Sequence, residues 1–243
     1  MGDGMRTIGT GLILLAAVAP AVADAQARSC AVPQAVETPH PDLPSEREPQ
    51  RVMPIGSYTL AITWSPEYCR TKKASARDAF QCGGTRPKFG FTLHGLWPDG
   101  TGKSWPQYCR PAAVLPQPVL RANLCATPSA QLLQHEWAKH GTCMTTQPAD
   151  YFATATRLYG ALRYPDMAAL SRRPLTAGRF AQAFAAANPG MGAEMLRVTA
   201  NRRGWLDEVW ICLSKGYRPV RCPVAQAGLA GNAPLRIWRG GGR

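Results

Sequence analysis

Three of the four histidines in this sequence fall in two short clusters that also contain the other residue types of an acid–base site. His94 stands in FTLHGLWPDG, and His135 and His140 stand in HEWAKHGTC together with Glu136 and Lys139. An imidazole has an ordinary pKa of about 6.5, so two imidazoles can divide the proton-donor and proton-acceptor tasks near neutral pH. A neighbouring ammonium and carboxylate can stabilise charge that develops during a reaction. The clusters therefore predict general acid–base catalysis.

The second cluster gathers its ionisable groups on one side if it folds as an α-helix, which turns about 100° per residue. Measured from His135, Lys139 lies at about 40° around the helix. Glu136 then lies at about 100° and His140 at about 140°. A charged run of this kind usually marks a solvated face. Clustered His, Glu and Lys side chains are also typical of sites that perturb pKa values, and we favour that interpretation.

The spacing of the same cluster argues against a zinc protease. A zinc-binding His-Glu-x-x-His helix uses histidines four residues apart, whereas His140 follows His135 by five. Lys139 takes the position of the second ligand, where its ammonium would repel a cation. We therefore expect neither a metal nor another cofactor.

Hydrophobic periodicity indicates the elements that position these residues. Strand patterns occur at Ser57–Trp64, 88–94 and Leu206–Leu213, with a weaker one at 235–238. Helical patterns occur at about 129–140, 149–163 and 176–187, the last ending at Asn188-Pro189-Gly190. Strands separated by a block of helices predict an α+β fold in one domain.

These elements give each cluster an expected setting. His94 lies at the end of its predicted strand, where an imidazole would emerge into a loop. Trp137 and Ala138 face away from the charged side of the helix and are expected in the core. Gly141 is expected to adopt the left-handed conformation that ends a helix.

The N-terminus predicts an exported protein. Arg6 precedes an apolar run at 12–22, and small residues allow cleavage after Ala25 or Ala27. We interpret residues 1–27 as a signal peptide and expect a periplasmic or secreted protein.

The next segment, residues 28–56, is rich in proline, which predicts a flexible extension without regular structure. His40 lies in this segment and is expected to have no catalytic role. The catalytic domain is then expected to span residues 57–239.

Composition agrees with export and suggests a polyanionic partner. The chain has eight cysteines and no Cys-x-x-Cys pair, which favours four disulfides over a metal cluster. Its formal net charge is +13. A basic protein attracts nucleic acid, but the same charge suits lipid surfaces or simple solubility.

The two histidine segments resemble the active-site segments of the ribonuclease T2 family. YTLAITWSPEYCR also looks like the family's opening strand, and VWICL like its last core strand. The resemblance spans about residues 57–223. It implies an α+β fold around an antiparallel sheet with flanking helices, held by disulfides.

The resemblance also implies the activity. It indicates a metal-independent endoribonuclease of low base specificity that cleaves single-stranded RNA through a 2′,3′-cyclic phosphate to 3′-phosphate ends. We expect a monomer whose partner is RNA and which has no stable membrane association after signal cleavage.

The family's roles transfer to the matching residues. By that analogy His140 is the base and His94 the acid, and Lys139 supplies a cation for the pentavalent phosphate. Glu136 hydrogen-bonds that phosphate or orients the neighbouring cations, and His135 binds phosphate.

Base binding is assigned to the residues after His94. Trp97 is expected to stack on a base and Asp99 to accept a hydrogen bond from a base amino group. Trp97 is equally compatible with the core and Asp99 with a turn. Proximity alone makes Trp105 a further candidate for the base pocket.

Eight cysteines permit 105 pairings, and the sequence by itself does not choose among them. The resemblance implies four pairs: Cys109 with Cys143, Cys69 with Cys82, Cys212 with Cys222, and Cys30 with Cys125. If Cys125 instead pairs with Cys143, two of these fail.

Three other classes of protein fit the sequence less well. An inactive RNA- or nucleotide-binding protein needs cations and aromatic rings but no acid–base set. A metal-dependent nuclease would need more carboxylates near the histidines. A membrane-active toxin would need an amphipathic cationic helix, which the sequence lacks.

Overall fold

The computed structural model describes residues 1, 30–72, 75, 77–84, 88–224 and 226–240. The predicted signal peptide, apart from Met1, lies outside the described residues. Within them, the helices are all too short or too polar to span a bilayer.

A four-stranded antiparallel sheet forms the centre of the fold, with strand order β2-β1-β5-β4. Two further short strands, β3 and β6, pair separately. The described strands are β1 (Ser57–Trp64), β2 (Phe91–Asp99), β3 (Leu175–Thr176), β4 (Leu196–Ala200), β5 (Leu206–Leu213) and β6 (Pro234–Leu235). The α+β prediction is confirmed.

Helices occupy most of the chain between β2 and β4. The described helices are α1 (Ser65–Lys72), α2 (Ala79–Cys82), α3 (Gln117–Asn123), α4 (Ala130–Glu136), α5 (Thr142–Met144), α6 (Pro148–Gly160), α7 (Met167–Leu170) and α8 (Ala177–Ala187). A π-helical turn, Trp137–Gly141, joins α4 to α5, and a 3₁₀ turn, Ala193–Met195, precedes β4.

The core lies between the sheet and these helices. Leu60 and Ile62 of β1 are almost completely buried, as are Tyr151 of α6 and Phe180 and Phe184 of α8. Burial of each large apolar side chain contributes about 1.5–3 kcal/mol. β1 is therefore fixed firmly between its neighbours.

Local signals begin the helices where the sequence predicts. The Ser129 hydroxyl accepts a hydrogen bond from the amide of Leu132 and caps α4, and Thr176 caps α8 in the same way through Arg179. Asn188 ends α8 by donating to the carbonyl of Phe184.

Two predicted strands have the expected bounds and two do not. β1 and β5 match to the residue. The segment predicted at 88–94 begins later, at Phe91, and continues to Asp99. The segment predicted at 235–238 contributes only Pro234–Leu235, which pairs with β3 and not with the main sheet.

The proline-rich segment has no helix or strand in residues 31–50, as predicted, but it is packed against the domain. Val36 is buried, and Arg51 and Gln107 exchange backbone hydrogen bonds. That residues 28–56 are flexible stays a prediction, and the packing of the described residues 30–56 is a feature that composition did not indicate. Composition cannot show that a disulfide at Cys30 and backbone pairing at Arg51 anchor both ends.

The structure contains all four implied disulfides: Cys109–Cys143, Cys69–Cys82, Cys212–Cys222 and Cys30–Cys125. Cys109–Cys143 ties the loop after β2 to α5, immediately beyond the second histidine cluster. Each bridge constrains the unfolded chain and typically contributes about 2–4 kcal/mol.

Candidate active site

His94 occupies a β-bulge in the middle of β2. Gly95 is opposite Ala61 and Leu93 is opposite Ile62, so His94 is the extra residue without a cross-strand partner. The expectation that His94 ends its strand is wrong, because the bulge lets the strand continue while reorienting one side chain. Bulges commonly aim a side chain into a site in this way.

Glu208 of β5 holds the His94 ring. Its Oε1 lies 2.5 Å from His94 Nδ1. The hydroxyl of Thr63 donates to the same oxygen at 2.9 Å, and the indole of Trp210 donates to Oε2 at 2.8 Å. The carboxylate is thus fixed on both oxygens before any substrate binds.

Glu208 was missed in the sequence because it stands 114 residues from His94, in a segment interpreted as a core strand. The sequence nevertheless contained a feature that could have indicated the role of Glu208. A carboxylate inside a largely apolar central strand is costly unless it has a partner, and that cost could have marked the residue.

The electrostatics of this pair favour a protonated His94. Burial lowers the pKa of His94, but the hydrogen bond to Glu208 and the charges of Glu136 and Glu208 outweigh it and raise the pKa to about 9. Burial raises the pKa of Glu208, and the bond to His94 reverses this and lowers it. An imidazolium with this pKa can donate a proton at neutral pH.

The second cluster lies on a helix with a π-helical turn. The amide of Thr142 donates to the carbonyl of Trp137, five residues back. A wider turn rotates Lys139 and His140 back toward His135, relative to a regular α-helix. The backbone amide of Tyr108 donates to the carbonyl of Lys139 at 2.8 Å, which supports the irregular turn from outside.

Gly141 does not end this helix. Its φ of −60° is helical, and the helix continues through Thr142–Met144. A Cβ on Gly141 would lie 2.4 Å from Trp137 Cε3 and 2.9 Å from Tyr151 Cγ. Glycine is therefore required for the close packing of the helix, and the left-handed prediction is wrong. Trp137 and Ala138 are buried as expected.

Glu136 and His140 are both nearly inaccessible, at 2% and 6% exposure. Burial and the neighbouring charge of Lys139 lower the pKa of His140 well below its ordinary value, so the ring is neutral. Burial raises the pKa of Glu136, against the opposing charges of His94 and His135. His94 is therefore protonated and His140 neutral at the same pH.

Trp97 joins the two clusters. Its ring contacts the His94 ring at 5.0 Å and the His140 ring at 5.7 Å between centroids. Its indole N–H donates to Glu136 Oε2 at 2.9 Å, and Glu136 Oε1 lies 3.5 Å from His94 Nε2. The structure thus brings together a protonated imidazole, a neutral imidazole and a carboxylate around one indole.

The described contacts of the other proposed base-binding residues are with residues outside the two histidine clusters. Asp99 ends β2, five residues beyond His94, and its carboxylate accepts a hydrogen bond from Thr59 at 2.8 Å. Trp105 is 46% exposed, and the guanidinium of Arg51 lies 5.2 Å from its ring centroid.

The N-terminal segment supplies partners that the sequence did not reveal. Asp42 Oδ2 is bonded to His135 Nδ1, and Asp42 Oδ1 accepts from the hydroxyl of Tyr108. Glu48 Oε1 is bonded to Lys139 Nζ. These carboxylates were missed because they stand in a segment whose composition indicated disorder.

His135, Glu136 and His140 could also hold a metal ion, since one potential ligand atom from each lies within 4.8 Å of the others. Two features oppose a cation there. The ammonium of Lys139 is on the same turn, and one nitrogen of His135 is already bonded to Asp42.

Comparison with known proteins identifies relatives of the whole domain. The sequence model described as the ribonuclease T2 family matches residues 55–222. The chain is 33% identical over 180 residues to a probable ribonuclease of Haemophilus influenzae, covering 70% of this chain and 61% of that protein. It is 35% identical over 173 residues to a ribonuclease of Aeromonas hydrophila, covering 68% and 75%.

Solved structures share the fold. An RNase-related protein from Calystegia sepium has a TM-score of 0.59 at 22% identity, covering 76% of this chain and 97% of that one. RNase NT in complex with 5′-AMP has a TM-score of 0.56 at 19% identity, covering 76% and 98%.

Proposed function

The chain belongs to the ribonuclease T2 family, and from that membership we propose that it is an endoribonuclease. It cleaves single-stranded RNA without a metal, through a 2′,3′-cyclic phosphate to 3′-phosphate ends, with low base specificity. One observation carries the proposal beyond family membership. His94 and His140, from different elements, contact the same indole ring and have pKa values shifted in opposite directions.

The opposite shifts support the assignment of acid and base. Neutral His140 accepts the proton of the 2′-hydroxyl, and that oxygen attacks the phosphorus. Protonated His94 donates to the departing 5′-oxygen. The roles reverse when water opens the cyclic phosphate, because the first step leaves each histidine in the state that the second step needs.

Charge on the phosphorane oxygens is stabilised by the cations beside this pair. Lys139 supplies a fixed positive charge, and His135 binds a phosphate. Glu136, held by the Trp97 indole, orients the His94 ring or hydrogen-bonds the phosphorane.

We assign base binding to Trp97 and Asp99. Trp97 offers ring area next to both histidines, and Asp99 provides an acceptor at the end of β2. The four disulfides support export to the periplasm or the medium. Removal of residues 1–27 and a monomeric state are part of the same proposal.

The reaction class is tested by cleavage of a short defined RNA by the oxidised protein in excess EDTA. We expect full activity, products with 2′,3′-cyclic phosphate ends, and no cleavage of the DNA of the same sequence, which lacks the 2′-hydroxyl. Loss of activity in EDTA, restored by added metal, would assign the reaction to a metal at His135, Glu136 and His140. A folded protein that leaves RNA intact would be a binding protein.

Glu208→Gln tests the source of the His94 pKa. The acid must be protonated, so activity declines as pH rises through that pKa, near 9 in the native protein. Removing the carboxylate charge lowers the pKa and moves the alkaline limb of the kcat/KM profile to lower pH, while the acidic limb stays in place. An alkaline limb that stays near pH 9 would show that Glu208 does not set it. Asp207→Asn is the comparison, since the Asp207 charge also raises the pKa of His94 but is the smallest of its causes, so its alkaline limb should move less than that of Glu208→Gln.

A further inference from the structure

Residues 41–50 form a strap across the proposed phosphate-binding groups. Hydrogen bonds between the backbone of His40 and the side chain of Gln131 fix one end. The backbone pair of Arg51 with Gln107 fixes the other. Between these anchors, Asp42 and Glu48 are partly buried, and the other residues of the strap are exposed.

Those two residues are the ones that meet the site. Asp42 is bonded to His135, and Glu48 lies with Oε1 2.5 Å from Lys139 Nζ. The Lys139 side chain is 13% exposed although it ends in an ammonium, whereas Glu48 is 47% exposed. Lys139 holds the pKa of the Glu48 carboxyl below its ordinary value, so Glu48 is charged at neutral pH.

Glu48 already accepts one of the three hydrogen bonds that the Lys139 ammonium can donate, so a phosphate oxygen that binds Lys139 Nζ lies close to the Glu48 carboxylate. Both groups are anionic acceptors for the same ammonium, so they compete. We propose that Glu48 is a built-in competitor of the RNA phosphate at Lys139 and that it sets the KM of the enzyme. The inference rests on the proposed function.

The strap can move away from Lys139 at low energetic cost. Eight of its ten residues are exposed, and it contacts the domain mainly through hydrogen bonds at Asp42, Glu48 and Pro49, which water can replace when the strap opens. The anchored ends keep the carboxylate close to Lys139, which gives it a high effective concentration against free phosphate. RNA, with several phosphates in one chain, can displace it where a single phosphate competes poorly.

Glu48→Gln tests the proposal, with Glu46→Gln as the matched control. Both variants remove one negative charge from the strap, so they change the net charge equally, and Glu46 is exposed. We expect Glu48→Gln to lower KM for a short RNA about two- to fivefold, the range of a partly exposed ion pair, with kcat unchanged. The Glu46→Gln values should match those of the native protein.

A second readout does not depend on cleavage. Titration of each variant with inorganic phosphate, followed calorimetrically, should give a Kd for Glu48→Gln lower by the same factor. Failure of the native protein to cut RNA would overturn the proposed function, while the phosphate titration would still test the strap.

Other results would overturn the inference. A lower kcat at constant KM would make Glu48 a residue that positions Lys139. A lower Tm with unchanged KM and phosphate affinity would make the ion pair purely structural. Equal changes in Glu46→Gln would assign the effect to net charge.

Discussion

His140→Ala and His94→Ala are each expected to lower kcat by at least about 100-fold, the lower end of what a general acid or base contributes. Each substitution removes one of the two proton-transfer groups, and the other cannot replace it because its pKa is shifted in the opposite direction. The measurement is kcat on a short RNA, with Tm and RNA affinity recorded to establish folding and binding. His40→Ala is the control, since the described contacts of His40 with Gln131 use its backbone.

The shape of the pH profile distinguishes the two roles. In the native protein, activity should fall on the alkaline side as His94 loses its proton near pH 9. It should fall on the acidic side as His140 gains one, below its ordinary pKa of about 6.5. His94→Ala should lose the alkaline limb and His140→Ala the acidic limb. Near-native rates in both variants would contradict the two-histidine mechanism.

Gly95→Ala is expected to have the second largest effect, about a 100-fold loss of kcat/KM, although it adds a single methyl group. A Cβ at this position would lie 1.7 Å from Glu136 Oε2 and 2.9 Å from Trp97 Nε1. Glu136 is 2% exposed, and its Oε2 accepts the hydrogen bond of the Trp97 indole. The carboxylate and the indole must therefore shift, and with them the contact between His94 and Glu136.

Stability should also decrease in Gly95→Ala, by about 1–3 kcal/mol, because the added atom overpacks a buried site. Gly102→Ala is the matched control, since nothing lies within 4 Å of a Cβ there. Steady-state kinetics and thermal unfolding of the two variants give the comparison. If Gly95→Ala keeps native activity, the exact placement of Glu136 is not required for the reaction.

The family and much of the fold could be predicted from short segments of the sequence. The apolar alternation of β1 and β5 gave their bounds to the residue, because those strands are central and their burial is periodic. The short β4, with five residues at the sheet edge, carried too little periodicity to be found. That His94, Glu136, Lys139 and His140 are catalytic stays a prediction, although the structure brings them together.

The geometry of the site depended on single-residue irregularities that periodic patterns cannot show. The strand pattern in the sequence could not reveal the bulge at His94. The bulge arises because the neighbours of His94 in β2 pair with Ala61 and Ile62 of β1 and leave His94 without a partner. A regular helix likewise could not reveal the π-helical turn at Trp137–Gly141, where packing around Gly141 and the Tyr108 backbone bond accompany the wider turn.

The sequence by itself determined which chemical groups this protein has, whereas the pairing of its cysteines was only implied by the family resemblance and is given by the structure. Only the tertiary structure decided which carboxylates face those groups. Glu208 meets His94 across 114 residues, and Glu48 meets Lys139 across 91. Such pairs follow from strand register and from the anchoring of a segment at both ends, and these depend on contacts between residues far apart in the chain. Local sequence patterns report only on residues that are close in the chain. The carboxylate that raises the pKa of His94 and the carboxylate that pairs with Lys139 could therefore be identified only from the fold.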